Sequence, residues 1–263
     1  MIVGIEGGMG NQLFQMAFGY SVAKRRNCPL FFTRHRIDKD PNGRVFELHH
    51  FRGGQGMQFK EHEEPPVVAD NWYFNQTVWT QGESFTGHWQ SEKYFDEPIV
   101  RSMTELYTDP SRNALEWGCR IAEDYPTCGI HVRRGDYLLP DRLACHCNVT
   151  MDFYNRAKEH IRCNAYRGGR VRFYIFSDDP GWCIEAFPED IVVRWPGDTA
   201  HEHLWLMSKC SHFIFPNSTF GWWGAYLGDT TKGRIVIGPK RWFVIGQNSS
   251  DVIPDRWLKF ANE

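Results

Sequence analysis

Two adjacent arginines close a short apolar run at Gly129–Tyr137, GIHVRRGDY, and pose the chemical question for this chain. Ile130 and Val132 are β-branched, so the run reads as a buried strand that delivers Arg133, Arg134, Gly135 and Asp136 at its carboxyl end. A guanidinium presents a planar fork of donors that matches phosphate oxygens, and Gly135 lets the backbone turn with no Cβ in the way. Ligands of open α/β sheets sit outside the carboxyl ends of the strands, where these arginines would stand. Taken alone, the same residues suit a surface salt-bridge cluster equally well.

Two further stretches end in polar groups. Val171–Ser177 reads as a strand running into Asp178 and Asp179. His212–Pro216 reads as a strand running into Asn217, Ser218 and Thr219, which open a helix Phe220–Leu227 closed by Gly228. Together with His131, Arg133 and Arg134, these groups suit a nucleoside diphosphate. A carboxylate accepts from a base edge or ribose hydroxyls, arginine neutralises the pyrophosphate, and hydroxyls with helix N–H groups complete the cradle. Each group also has a purely structural use: the aspartates as caps of a helix near Trp182, Ser218 and Thr219 as caps of the next helix, His131 as a core histidine. Their joint placement at one side of a sheet favours a site.

The elements that must carry these groups alternate between strand and helix. Ile2–Ile5 leads through Glu6-Gly7-Gly8-Met9-Gly10 into a helix from Asn11, which suits an N-cap, with Leu13, Met16, Ala17 and Tyr20 on one face and Lys24, Arg25 and Arg26 in the last turn. Such a strand, turn and helix start could hold a phosphate or a sugar hydroxyl, although neither GxxxxGK(S/T) nor GxGxxG is present. Pro29–Thr33 is the next strand, residues 34–69 read as loops with short elements such as Phe46–Phe51, and Ser84–Trp89 is a further strand ending at Gly87-His88-Trp89-Gln90-Ser91. Ser111–Glu123 is a helix with Ala114, Leu115, Gly118 and Ala122 inward, and Pro126 sets the domain boundary. Beyond it follow helices at Met151–Arg162, with Thr150 as N-cap, and His201–Cys210, and a last strand at Arg234–Gly238. Strands regularly separated by helices predict a parallel, doubly wound α/β fold.

At 263 residues, 41% hydrophobic and 24% charged, the chain can build one large or two modest domains. A net charge of −2 and a pI of about 6.6 exclude a general basic field for nucleic acid or an anionic membrane. The 11 tryptophans offer faces for sugar rings or bases, or simply core. Eight cysteines without a CxxC read as free thiols in a reducing, cytoplasmic setting, and Cys145-His146-Cys147 lacks a second ligand pair, so no metal is expected. No secretory leader and no transmembrane run are legible, so any membrane association would be peripheral, and the sequons at Asn75, Asn148, Asn217 and Asn248 are expected to carry no glycan. Nothing in the pattern sets an oligomeric state.

Five stretches occur together in a familiar order: GGMGNQLFQMAFGYSVA at 7–23, GHWQSEKYF at 87–95, HVRRGDY at 131–137, FSDDPGWC at 176–183 and LMSKCSHFIFPNSTFGWWGAYL at 206–227. They resemble the alpha-1,2-fucosyltransferases of glycosyltransferase family 11, from about residue 4 to residue 243. The chain departs from that pattern at Phe220-Gly221-Trp222-Trp223, where members usually have FSWW, and at His203, where an acidic residue is common. The resemblance implies a GT-B architecture, two Rossmann-like domains with parallel sheets facing a cleft: 1–125 on the acceptor side and 126–263 binding GDP-fucose. It implies inverting transfer of fucose to the 2-hydroxyl of a terminal β-galactoside, with no metal and no cofactor beyond the donor. In that scheme Arg133 and Asp136 belong to the catalytic motif, Arg133 binding the β-phosphate and stabilising departing GDP. Arg134 joins the donor site, His131 and Asp178 serve the nucleoside, Ser218 and Thr219 the phosphates, and Asn11 the fucosyl side. Neither Asp136 nor Glu6 is fixed as the base for the acceptor proton. Two rivals stand beside it. One is a GT-B transferase with another acceptor, linkage or sugar nucleotide, such as a protein O-fucosyltransferase. The other is a non-catalytic carbohydrate-binding protein, whose glycan binding would ignore GDP and the loss of Arg133. A P-loop phosphotransferase lacks its motif lysine.

Overall fold

The short apolar runs of the first third of the chain become parallel strands. In the computed structural model, which describes residues 1–61, 68–69, 74–165, 170–230, 233–244 and 248–263, the chain divides into two units. The first holds Met1–Asp109 and Gln247–Pro254, and the second Pro110–Gly246 and Asp255–Glu263. Among the described residues no helix is long and apolar enough to cross a membrane.

The first unit contains β1 (Ile2–Gly4), α1 (Met9–Arg26), β2 (Phe31–Thr33), α2 (Arg52–Gln55), β3 (Val68–Ala69), β4 (Ser84–Thr86) and α3 (Glu97–Met103). Its sheet runs β2-β1-β4-β3 with every pairing parallel, Ile2 standing opposite both Phe31 and Ser84. Phe46–Phe51 yields only a 3-10 turn at Leu48–His50, and the part of the 34–69 loop region at 62–67 lies outside the described residues. α1 begins before the expected Asn11. Gly7 takes φ 74°, in the left-handed region that favours glycine, and Gly8 follows in extended conformation as the N-cap. Asn11 therefore lies in the first turn rather than capping it, and its Oδ1 accepts from Gln90 Nε2 at 3.0 Å. Buried Gln12 and Gln15 tie the flanking loops to the helix: Gln12 Nε2 donates to the Gly7 and Val45 carbonyls, and Gln15 Nε2 to that of Gly87. At the other end Lys24, Arg25 and Arg26 complement the helix dipole, and Asn27 at φ 49° turns the chain out. Phe18 of α1 stacks on Trp89 at 4.1 Å in the core.

The second unit contains α4 (Arg112–Glu123), β5 (Thr127–Val132), α5 (Pro140–Cys145), α6 (Met151–Asn164), β6 (Arg172–Ser177), α7 (Pro180–Ala186), β7 (Ile191–Val192), α8 (Ala200–Lys209), β8 (His212–Ile214), α9 (Thr219–Leu227), β9 (Val236–Pro239) and β10 (Leu258–Phe260). Its parallel sheet runs β10-β9-β8-β5-β6-β7. The chain thus starts in the middle at β5, steps outward through β6 and β7, then reverses to the other side at β8. β5 is buried along its whole length, as a central parallel strand covered on both faces must be. Its Cys128, Ile130 and Val132 share one cluster with Phe153, Ala157 and Ile161 of α6. Gly129 and His131 point to the opposite face. A Cβ on Gly129 would come within 2.6 Å of the Phe213 ring, and one on Gly224 of α9 within 2.6 Å of Met207 Sδ on α8, so both glycines permit close packing.

Two expectations are corrected here. The sequence pattern sets the domain boundary at 125/126, whereas the units divide between Asp109 and Pro110, because α4 packs on the second unit. The Ser111 amide donates to Glu202 Oε1 at 2.6 Å, and a Cβ on Gly118 would meet Trp205 at 2.9 Å. The buried face of α4 carries Ala114 and Ile121, not Leu115, which is 45% exposed.

Candidate anion site at the sheet reversal

Where a doubly wound sheet reverses its winding, the loops leaving two neighbouring strands part to opposite faces and open a crevice at their carboxyl ends. In the second unit this point lies between β5 and β8. The arginine turn leaves β5 there, and Asn217-Ser218 leave β8 there on the way into α9. β6, paired along the full length of β5, brings Asp178 and Asp179 to the same edge, its Ser177 standing opposite Val132.

The carboxylates grip the arginines. Arg133 Nη1 lies 2.8 Å from Asp178 Oδ2, and its Nη2 donates to Asp136 Oδ1. The guanidinium is thereby held from two sides while still a quarter exposed. Arg134 Nε donates to Asp179 Oδ2 at 3.0 Å, its guanidinium carbon sits 3.8 Å from the centroid of the Trp182 ring, and its backbone amide donates to Asp178 Oδ1 at 2.9 Å. Asp178 thus bridges the two arginine residues. Asp179 also caps α7 through the Trp182 amide at 3.1 Å, and that bond first, then Arg134, lowers its pKa. Gly135 is required by this arrangement: a Cβ there would stand 2.4 Å from Asp178 Oδ2.

His131 lies one step back in β5, with 3% of its surface exposed. Burial, followed by Arg133 and His203, pushes its pKa down to about 3, so the ring is neutral. Its Nδ1 is buried and has no hydrogen-bond partner among the described residues. Gly221 packs against that ring, for a Cβ there would reach 2.6 Å from Nδ1. The departure from the FSWW pattern therefore falls on a contact with His131. His203, the other departure, is on α8 with Nε2 3.1 Å from Asp198 Oδ2, and burial lowers its pKa against the pull of that carboxylate.

On the β8 side, Asn217 is 1% exposed, its Nδ2 donating to the Trp242 carbonyl at 3.1 Å. Ser218 is buried in the N-cap position of α9 but makes no capping bond with its hydroxyl, and Thr219 is the first helical residue. No acidic residue occupies the first turn. The edge therefore combines two arginines with an uncapped helix start, the combination that binds phosphate oxygens.

His131, Arg133, Arg134, Asp136, Asp178, Ser218 and Thr219 all fall in the second unit, while Asn11 belongs to the first. Sequence reasoning did not single out Trp182 or Tyr137 as partners of the arginines. Both sit inside the quoted motifs, FSDDPGWC and HVRRGDY, which was the available signal. Among the described residues the cysteines are free thiols, and no group of three or more His, Cys, Asp or Glu could hold a metal ion.

A sequence model of Glycosyl transferase family 11 matches residues 86–245. The chain is similar to an alpha-1,2-colitosyltransferase of Escherichia coli, 29% identical over 297 residues that cover 98% of each protein. It is 24% identical over 292 residues to a galactoside 2-alpha-L-fucosyltransferase, SEC1, of Bos taurus, covering 98% of this chain and 73% of that one. Among solved structures it resembles the alpha-1,6-fucosyltransferase NodZ from Bradyrhizobium soaked with GDP-fucose, with a TM-score of 0.51, 16% identity, and 85% of this chain and 90% of that one covered. The last likeness is one of fold, α/β with parallel sheets of GT-B type.

Proposed function

The chain belongs to glycosyl transferase family 11, and from that premise we propose that it transfers fucose from GDP-fucose, with inversion, to the 2-hydroxyl of a terminal β-galactoside. The observation that carries this reading is Arg133 at the sheet reversal, clamped by Asp136 and Asp178 with its guanidinium still open to solvent. A fixed donor aimed at a leaving group stabilises the charge that develops there with no reorganisation at the moment of reaction. In this scheme Arg133 binds the β-phosphate; the acceptor's 2-oxygen bonds to the anomeric carbon and gives up its proton to solvent, while the pair of electrons from the broken anomeric C–O bond settles on the phosphate oxygen that Arg133 holds. Asp136 acts through Arg133, keeping its fork in place. Arg134, held on Trp182, the Ser218 hydroxyl, which makes no capping bond, and Thr219 at the helix start take the remaining phosphate oxygens. Neutral His131 and Asp178 serve the nucleoside. The two arginines, their charge balanced by Asp136, Asp178 and Asp179, would offer fixed N–H donors to the diphosphate in place of a metal, so transfer should proceed without one.

A second reading is favoured by the colitosyltransferase, the relative that matches over 98% of both chains. Colitose differs from fucose by lacking a ring hydroxyl. A site that hydrogen-bonds that hydroxyl rejects the analogue by about 10⁴-fold, and one that leaves it alone discriminates little. Competing GDP-fucose against GDP-colitose on N-acetyllactosamine, with linkage analysis of the product, separates the readings. Preference for GDP-fucose with an alpha-1,2 product supports the first, and preference for GDP-colitose supports the second. Transfer from neither donor, or a product without a 1,2 linkage, overturns both.

A further inference from the structure

Resting on that reading, we propose that Tyr137 and His146 are a positioning pair that holds Arg133 and the β8–α9 turn in register for the diphosphate. Tyr137 follows the arginine turn and touches both halves of the site. Its ring centroid lies 5.3 Å from the Arg133 guanidinium carbon, and its hydroxyl donates to the Asn217 carbonyl at 3.1 Å, immediately before Ser218. The ring is stacked on the His146 imidazole, with centroids 4.4 Å apart and planes 8° from parallel. One phenol ring therefore joins segments that lie 80 residues apart in the chain.

His146 itself is held from behind. The backbone around it bonds to the loop after β9, the Val244 amide donating to the Cys145 carbonyl at 3.0 Å and the Cys147 amide to that of Trp242 at 3.4 Å. The Trp242 carbonyl also accepts from Asn217 Nδ2. Asn262, 1% exposed, closes the set: its Nδ2 donates to the Cys147 carbonyl at 2.7 Å and the Arg241 carbonyl at 2.9 Å, and its Oδ1 accepts from the Arg241 amide at 3.0 Å. Asn148 Nδ2 donates to the Tyr137 carbonyl at 3.1 Å. The imidazole thus has a fixed place from which to hold the phenol, and the phenol fixes two groups that approach the phosphates. Asn217 Oδ1 is buried with no partner among the described residues, so the turn depends on what its Nδ2 and its carbonyl bind.

The test is GDP affinity by calorimetry for the full chain and four variants, with the melting temperature of each ligand-free protein measured alongside. Losing the stack and the cation contact in Tyr137→Leu, or the stack in His146→Ala, should weaken GDP about tenfold, the size of one partly desolvated aromatic–cation contact. His146→Phe keeps a flat ring against Tyr137 and should bind within about threefold of wild type, while Tyr137→Phe, which loses only the bond to Asn217, should fall between. Melting temperatures that separate His146→Ala from His146→Phe less than the affinities do mark positioning rather than general stability. Equal affinity across all four variants, or the same loss for phenylalanine as for alanine at 146, overturns the proposal and leaves the donor reading intact. If a His146 variant fails to fold, Tyr137→Phe against Tyr137→Leu carries the same contrast. Absence of GDP binding in wild type overturns the donor reading and this inference together.

Discussion

Arg133 gives one N–H from each of its two terminal nitrogens to a carboxylate and keeps the second N–H of each, so its geometry, and not only its charge, is set before any substrate arrives. Arg133→Ala should remove about 2.7 kcal/mol or more of transition-state stabilisation, seen as at least a hundredfold fall in kcat. Arg133→Lys should stay well below wild type, because an ammonium cannot be held by Asp136 and Asp178 while presenting a planar fork outward. A lysine variant with wild-type kcat would contradict the assignment. Gly135→Ala makes a subtler prediction: its Cβ would displace the Asp178 carboxylate from 2.4 Å away, so donor affinity should fall. Gly135 is exposed, so the melting temperature should move little. The converse pattern, lower melting temperature with unchanged affinity, would deny Asp178 its bridging role. At this scale the sequence could place the arginines and aspartates at neighbouring strand ends, although each alone also suits a salt bridge or a cap, as Asp179 does at Trp182. The stack of Arg134 on Trp182 was not legible, since only the fold brings them to 3.8 Å.

Strands of the second unit were readable where they are buried, as β5, β6 and the three-residue β8 are, and unreadable at the sheet's two edges, where they are short and partly exposed. β7 has two residues and β10 three, too few for any periodicity to show. Helix faces shifted for a related reason: on α4, Leu115 and Ile121 look alike in the sequence, and only the packing of Gly118 under Trp205 decides which turns inward. The connection from α6 to the turn before β7 carries a charge pair no pattern announced. Lys158 Nζ pairs with Asp190 Oδ2, their side chains 9% and 3% exposed, and burial raises the Asp190 pKa despite its partner. Removing one partner of a buried pair strands the other charge, at a cost of about 3–5 kcal/mol, while an apolar pair of similar volume is often tolerated. Lys158→Met and Asp190→Leu should each lower the melting temperature more than the double variant does. Additive losses in the double variant would show that the pair carries no coupled cost.

Across the molecule, buried histidines set the response to acid. His131 is held at about 3 and His212 at about 4, in each case by burial first, against roughly 6.5 in an unfolded chain. Between those values the unfolded chain binds the extra protons, so their contribution to stability is complete above pH about 6.5 and is lost as pH falls toward 3–4. A melting temperature flat across pH 6.5 to 4 would contradict this. His212→Asn, which leaves an oxygen to accept the Ile235 amide in place of Nδ1, should flatten the slope. The parallel α/β organisation was visible in the alternation of strands and helices, but the division at Asp109 was not, because it depends on what α4 packs against.

The most direct test of the central claim measures GDP release from GDP-fucose with and without N-acetyllactosamine, in excess chelator, for wild type and Arg133→Ala. The reading predicts acceptor-dependent release that survives the chelator and falls at least a hundredfold in the variant. Release that is indifferent to Arg133, or that stops when metal is removed, would contradict the assignment of the leaving group to this arginine.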